Sequence, residues 1–211
     1  GLRSFLRQDP NIIMVGEIRD EETADLAVQA ALTGHLVFST LHTNSASGAL
    51  PRLLDMKAEP YLLASSITAV LGQRVVRKVC GTCKEAVVPT PEMVTEVKKE
   101  LGGLYEAWVQ SRPVLVETAK KAGVEFLLYK GNGNHGTCPE CGGSGYVGRV
   151  GIYEVMVMSG KLGKLIMERA TADGVEKVAV EDGMILMKQD GYLKALDGIT
   201  TLDEVLRVAQ T

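Results

Sequence analysis

Aromatic residues are scarce in this 211-residue chain: one Trp, six Tyr and three Phe, 5% of the total. Binding of single-stranded nucleic acid by base stacking needs several such rings on one platform, so that mode is excluded. Charge of one sign is lacking too. Lys and Arg number 23 against 26 Asp and Glu, a formal net charge of −3, which argues against general polyanion binding and leaves room only for a local basic patch. Long hydrophobic runs are missing. The longest nearly apolar stretch, Tyr61 to Leu71, falls short of the roughly 20 residues of a spanning helix, and no signal peptide opens the sequence. There is no repeat at a solenoid period. Nor is there a Gly-x-x-x-x-Gly-Lys-Ser/Thr loop: Gly160-Lys161 and Gly163-Lys164 are each followed by leucine, and Gly131-Asn-Gly-Asn-His-Gly136 has neither lysine nor hydroxyl. Without that cradle of backbone N–H groups the chain is not expected to hold a triphosphate or hydrolyse ATP by itself.

What is present is the balance of an ordinary globular chain, 45% hydrophobic and 23% charged. Asn11-Ile-Ile-Met-Val15 reads as a strand buried on both faces, as in a parallel sheet, with Asp9-Pro10 as a turn ahead of it. Asp20 is placed to cap a helix that runs through Ala24, Ala27, Val28, Ala31 and Leu32 and closes at Gly34. His35 to Leu41 reads as a second buried strand, completing a βαβ unit, so the first 80 residues are expected to be α/β with a parallel sheet. The polar loop His42-Thr-Asn-Ser-Ala46 then falls at the C-terminal end of a strand, where open α/β sheets bind ligands.

Helices are expected over Ala46–Met56, with Pro51 tolerated only in the opening turn, and over Tyr61–Leu71. Gln73–Val79 reads as extended and carries Arg74, Arg77 and Lys78. Residues 80–150 hold all four cysteines and an amphipathic stretch, Glu92–Ala119, interrupted at Gly102-Gly103 and Pro113. Beyond Gly151 come a strand, Ile152–Met158, and helices over Ser159–Ala170, Ala172–Asp190 and Thr201–Ala209. Thr201 and Glu204 have the spacing of a capping box. The expected organisation is a core over 1–79, a cysteine-bearing subdomain over 80–150 and a helical region over 151–211. Gly1 is not an initiator methionine and strand-like sequence follows almost at once, as expected of an excised fragment.

The cysteines form two pairs, Cys80-Gly-Thr-Cys83 and Cys138-Pro-Glu-Cys141. Each tight turn can bring two sulfurs to about 2.3 Å from one zinc ion, and two turns close a tetrahedral site. The 54 residues between the pairs (84 to 137) exceed the usual gap of a compact ribbon, but loop-closure entropy grows only slowly with length. Such a zinc has no open position and is structural, not catalytic. Two disulfides, four free thiols or a redox pair are the alternatives. The lack of a secretion signal argues against disulfides, and a redox motif does not explain why the pairs are matched and hold the only cysteines. Cys138 to Gly145 also fits the Cys-x-x-Cys-x-Gly-x-Gly repeat of chaperone-type domains, although Cys83 is followed by Lys84-Glu-Ala. A zinc-stabilised binding module, chaperone-like or a nucleic-acid-binding ribbon, is thus the alternative function, and a purely structural α/β domain a third.

Ile12-Ile-Met-Val-Gly-Glu17 is a hydrophobic strand ending in an acid, a Walker B-like element able to hold magnesium through water. A solvated strand end is the plain alternative. His35 and His42 bracket the next strand at odd spacing, so only the loop residue His42 is an easy phosphate contact; His35 alone reads as structural.

Together these elements resemble the C-terminal half of the secretion and pilus motor ATPases, the type II secretion ATPases and type IV pilus assembly (extension) ATPases. Asp9-Pro-Asn-Ile-Ile-Met-Val-Gly-Glu-Ile-Arg-Asp20 is similar to that family's Walker B box, and Thr33-Gly-His-Leu-Val-Phe-Ser-Thr-Leu-His-Thr-Asn44 to its histidine box. Gln73-Arg74 with Cys80 and Cys83 resembles the entry to its zinc subdomain. Cys138-Pro-Glu-Cys141 through Gly148-Arg-Val-Gly-Ile-Tyr-Glu154 resembles the exit, and Gly198-Ile-Thr-Thr-Leu-Asp-Glu-Val-Leu-Arg207 the last helix. Residues 90–130 stand outside the likeness as an enlarged excursion.

The resemblance implies an α/β fold with a RecA-like parallel-sheet core, a four-cysteine zinc-binding subdomain and a C-terminal helical bundle. It implies a hexamer working with ATP and Mg2+ in the full-length protein, structural Zn2+ on Cys80, Cys83, Cys138 and Cys141, and an inner-membrane platform protein as partner. It implies cytoplasmic placement at that membrane, with no insertion and no specific nucleic acid. By the same likeness Glu17 is the acid on magnesium and His42 lies near the γ-phosphate, with Arg19 and His35 supporting them and Arg74 a further candidate. The Walker A loop, the aspartate box with its catalytic glutamate and the arginine fingers are expected before Gly1. The four cysteines favour extension and secretion motors over retraction motors, which resemble this pattern without them.

Overall fold

A computed structural model describes residue 8, residues 10–132 and residues 138–209. Asp9 of the turn signal and most of the glycine-rich run 131–136 lie outside the described residues. The chain divides into two compact units, Gly1–Gly72 with Glu154–Ile185 and Gln73–Tyr153 with Leu186–Thr211.

In the first unit, strands β1 (Ile12–Val15) and β2 (Leu36–Ser39) pair in parallel, Ile12 opposite Leu36 and Val15 opposite Ser39. Helix α1 (Glu21–Leu32) connects them, and Asp20 accepts from the Thr23 N–H at 2.8 Å. That bond to the Thr23 backbone holds the Asp20 carboxyl below its ordinary value. The small residues Ala24, Ala27 and Ala30 are buried on α1 beside Val28, which lets helix and strands approach closely. The expectation that both strand faces are buried is corrected. Ile12, Met14, Leu36 and Phe38 are 62%, 80%, 50% and 53% exposed, and the register sets them on one shared face. α1 packs on β2 and Ile13 is buried; among the described residues no comparable layer covers the other face.

Helix α2 (Ala49–Asp55) carries Pro51 in its first turn, as its missing N–H requires. Helix α3 (Pro60–Ser66) is shorter than the apolar stripe suggested. Ile67 turns extended, and β3 (Ala69–Val79) begins within the expected helix because this stretch pairs instead with β6 (Tyr146–Val157). Helix α7 (Gly160–Met167), capped by Ser159, packs on α3, and α8 (Ala172–Glu181) follows, capped by Thr171. The single helix expected over 172–190 is split, since Gly183 takes φ +102°, a conformation that ends a helix.

In the second unit, β4 (Lys84–Val87) and β5 (Leu128–Gly131) pair antiparallel, Lys84 opposite Gly131 and Val87 opposite Leu128. Between them lie α4 (Pro91–Leu101), α5 (Gly103–Ser111) and α6 (Pro113–Lys121), divided at Gly102 and before Pro113 as the breakers foretold. Helices α9 (Met187–Leu196) and α10 (Leu202–Ala209) complete the unit. The excursion shares one hydrophobic core with them: Val97, Leu101, Tyr105 and Trp108 cluster with Tyr192, Leu196 and Val205. Trp108 Nε1 donates to Asp197 Oδ1 at 2.9 Å, satisfying the indole inside this core. Gly191 is what lets α9 meet α10, because a Cβ there would lie 2.5 Å from Val205 Cγ1.

Candidate functional site

Glu17 follows β1 and His42 follows β2, so two adjacent parallel strands deliver them to the same end of their ladder. The pairing continues past both strands: the Ile18 N–H donates to Thr40 O at 3.0 Å and the Thr40 hydroxyl to Gly16 O at 2.7 Å. His42 Nε2 lies 2.8 Å from Glu17 Oε1, and Arg19 Nε donates to Glu17 Oε2 at 2.5 Å. The carboxylate is largely sheltered, with 19% of its side chain exposed, while the His42 ring is 83% exposed. Each carboxylate oxygen keeps a second lone pair, so the two contacts leave Glu17 able to accept from a metal-bound water.

His35 stands at the other end of β2. Its Nδ1 lies 2.9 Å from Ala30 O and 3.1 Å from the Thr33 hydroxyl, within the turn that ends α1. The structure therefore brings Glu17, Arg19 and His42 together and leaves His35 apart from them. Arg74 lies in the second unit, half-buried on β3.

The four cysteines converge within the second unit. Cys80 and Cys138 sulfurs are 3.8 Å apart, Cys83 and Cys141 sulfurs 3.6 Å, and all four lie within 4.8 Å of one another. A tetrahedron with metal–sulfur bonds of about 2.3 Å has edges of about 3.8 Å, so the cluster fits a four-thiolate metal. None of the four is in a disulfide. Burial, then the neighbouring sulfurs, pushes Cys83 up to about 12, whereas at Cys141 burial is outweighed by the Gly145 N–H, the Cys138 and Cys83 thiols and the Gly143 N–H, which bring it down to about 6.

The knuckles are held by their own backbones. Lys84 N donates to Cys80 O at 3.0 Å, Gly142 N to Cys138 O at 2.9 Å, and Cys80 N to Gly145 O at 2.9 Å. Gly145 takes φ +76°, and a Cβ on the facing Gly131 would lie 2.1 Å from its carbonyl oxygen, so glycine is required at this crossing. Thr82 donates to Glu140, linking one knuckle to the other. The long gap is resolved by β4 and β5: the excursion leaves from one strand of a ladder and returns to its partner, so chain length does not separate the sulfurs.

Sequence reasoning placed Glu204 in a capping box and missed its ion pairs in the same unit. Glu204, 2% exposed, accepts from the Arg77 N–H at 3.0 Å, Arg77 Nη2 at 2.6 Å and Arg207 Nη2 at 2.8 Å. Arg77 also lies over the Tyr146 ring, 4.1 Å from its centroid. The capping box is half realised: Thr201 accepts from Glu204 N at 3.2 Å, but the Glu204 side chain goes to the arginines. The signal available was the basic run Arg74, Arg77 and Lys78, of which Arg77 meets the buried acid.

The profile of the type II/IV secretion system proteins matches residues 1–207. The chain belongs to the type II/IV secretion system protein family. The type IV pilus assembly ATPase PilB of Thermus thermophilus is 46% identical to this family member over 205 residues, 97% of the chain and 20% of the relative. The type II secretion system ATPase E of Vibrio cholerae is 44% identical over 210 residues, 100% of the chain and 37% of the relative. This family member therefore spans about a fifth to two fifths of the length of these relatives. In fold it resembles the pilus retraction motor PilT solved with ADP, at a TM-score of 0.59 and 24% identity, over 98% of the chain and 42% of PilT. Among the described residues of this family member no helix is long and apolar enough to cross a membrane.

Proposed function

We propose that this chain is the C-terminal portion of a hexameric motor ATPase that couples ATP hydrolysis to type IV pilus assembly or type II secretion. The observation that carries the reading is the Glu17–His42 pair, 2.8 Å apart at the tips of adjacent parallel strands, where open α/β sheets take their ligands. The ATPase names of relatives 44–46% identical support it. In this reading β1, α1 and β2 belong to a RecA-like core, residues 1–79 are its nucleotide-side block, 80–150 the zinc-binding subdomain and 151–211 a closing helical region. The compact units cut across these blocks, because α7 and α8 fold with the first unit and α9 and α10 with the second.

Bound magnesium supplies positive charge to the phosphate oxygens. Glu17 would hold it through water, Arg19 keeps that carboxylate oriented, and the exposed His42 ring would contact the terminal phosphate. His35 supports the pair at a distance by anchoring the start of β2, and Arg74 is a further nucleotide-supporting candidate. Cys80, Cys83, Cys138 and Cys141 hold structural zinc. The partners are further copies of the same protein and an inner-membrane platform protein, met from the cytoplasmic side without insertion. Lacking a Gly-x-x-x-x-Gly-Lys-Ser/Thr loop, the isolated chain is expected not to turn over ATP.

In the full-length protein, Glu17→Gln is expected to leave nucleotide binding nearly intact and to lower phosphate release by about a hundredfold or more, the scale of losing one charge-stabilising group. Nucleotide-binding titration beside steady-state phosphate release measures both. Undiminished turnover in this variant would remove Glu17 from the mechanism.

A further inference from the structure

Glu154 ends the Gly148-Arg-Val-Gly-Ile-Tyr-Glu run, and no role above uses it. It points inward from β6, 5% exposed, between the exposed Tyr153 and Val155. A carboxylate at that depth is costly unless it is hydrogen-bonded. Its Oε1 accepts from the backbone N–H of Ala46 at 2.5 Å.

Ala46 belongs to the loop that leaves β2 through His42. The Thr43 hydroxyl donates to Ser45 O at 3.0 Å, Ser45 Oγ lies 3.0 Å from Ser47 Oγ, and Gly48 N donates to Ser45 Oγ at 3.2 Å. The foot of this loop is buried, with Ala46 1% and Ser47 2% exposed, while its His42 is open to solvent. Its other end is fixed to Gly16 by Thr40. Glu154 is thus a side chain from outside the loop that grips its foot. Gly72 makes room for it, because a Cβ there would lie 2.8 Å from both Cγ and Oε1 of Glu154. The nearby Glu176 carboxyl is raised by its own burial and then by the Glu154 charge. All of these groups belong to the first unit.

We propose that Glu154 is a positioning residue: its carboxylate, seated over Gly72, fixes the foot of the His42 loop and so holds His42 against Glu17. Its effect on turnover rests on the reading of Glu17 and His42 given above; the grip on the loop does not.

Amide hydrogen exchange at residues 43–48 of this chain tests the grip in Glu154→Ala, Glu154→Gln and Gly72→Ala. Glutamine keeps a carbonyl acceptor for the Ala46 N–H, whereas alanine removes it and a methyl at Gly72 displaces it. Exchange at Ala46 and Gly48 is expected to rise about tenfold or more in Glu154→Ala and Gly72→Ala, the scale of one charge-assisted hydrogen bond. In Glu154→Gln it stays within about threefold of wild type, and the β4–β5 ladder exchanges at the wild-type rate in all three. If Glu154→Ala does not fold, Gly72→Ala and Glu154→Gln carry the comparison. In the full-length protein the alanine variants are expected to lose about tenfold in kcat with an unchanged nucleotide KM, and Glu154→Gln to retain activity.

Unchanged loop exchange in a folded Gly72→Ala overturns the proposal. So does wild-type kcat in the alanine variants while Glu17→Gln is inactive. Faster loop exchange together with wild-type turnover in Glu17→Gln upholds the grip and overturns the site reading instead.

Discussion

Replacing Cys138 by serine is expected to take zinc from about one ion per chain to nearly none and to destabilise the second unit steeply. Cys138 is buried, and its sulfur lies 3.8 Å from that of Cys80. Its loss opens one corner of a closed tetrahedron and replaces a thiolate with a neutral hydroxyl that is a poor zinc ligand. Structural zinc in such sites binds with roughly 10–16 kcal/mol at neutral pH, and most of that is folding free energy when the ligands come from distant stretches of chain. Elemental analysis of the metal-washed protein, paired with thermal melts with and without a chelator, measures both halves of the expectation. Four titratable thiols and no zinc in the wild type would leave the α/β reading in place. That result would remove the reason for preferring the assembly and secretion branch to a cysteine-poor relative.

Glu204→Gln is expected to cost about 3 kcal/mol at neutral pH, the scale of breaking a buried ion pair. The cost follows from geometry: one nearly inaccessible carboxylate pairs with both Arg207 and Arg77 and also accepts the Arg77 N–H. Arg207 first, against the opposing effect of burial, and then Arg77 hold the Glu204 carboxyl well below the usual carboxylate range. A lowered folded-state pKa adds stability above the unfolded value, about 4.3, and that stability is lost as pH falls toward the folded value. The gap between wild type and Glu204→Gln should therefore be constant from neutral pH to about pH 5. Below about pH 4 it should narrow by about 1.4 kcal/mol per pH unit. Urea unfolding of both proteins at neutral pH and near pH 3 decides it; an equal gap at the two values would mean that charge is not the origin.

The parts of the fold legible in the sequence were those with local causes. Asp20, Ser159 and Thr171 announce helix starts through their own side chains, and Gly102 and Pro113 break the excursion where their backbones must. What the sequence hid was set by distant pairing. Ala69-Val-Leu71 continues a helical stripe, yet becomes strand because β6 lies beside it. The apolar runs of β1 and β2 read as doubly buried, because hydrophobicity cannot tell which of two faces has a covering layer. At the candidate site, Glu17 and His42 were visible as strand ends, but their 2.8 Å contact depends on parallel register. Glu204 read as the partner of Thr201 in a capping box and Glu154 only as the end of a motif, since each is buried by partners about a hundred positions or more away.

With Val87 opposite Leu128 at the mouth of the excursion, the polypeptide is sewn shut there whether or not it is continuous beyond. A single cut at the exposed Gly102–Gly103 turn would sever the backbone and leave two pieces. The ladder, the packing of Val97 and Leu101 on Tyr192 and Leu196, and two sulfurs from each piece would still hold them together. A nicked protein should migrate as one particle in native buffer and as two bands after denaturation, with chelation easing the halves apart. The same seam makes the two pieces a natural split pair, whose reassembly reports whether the metal is there.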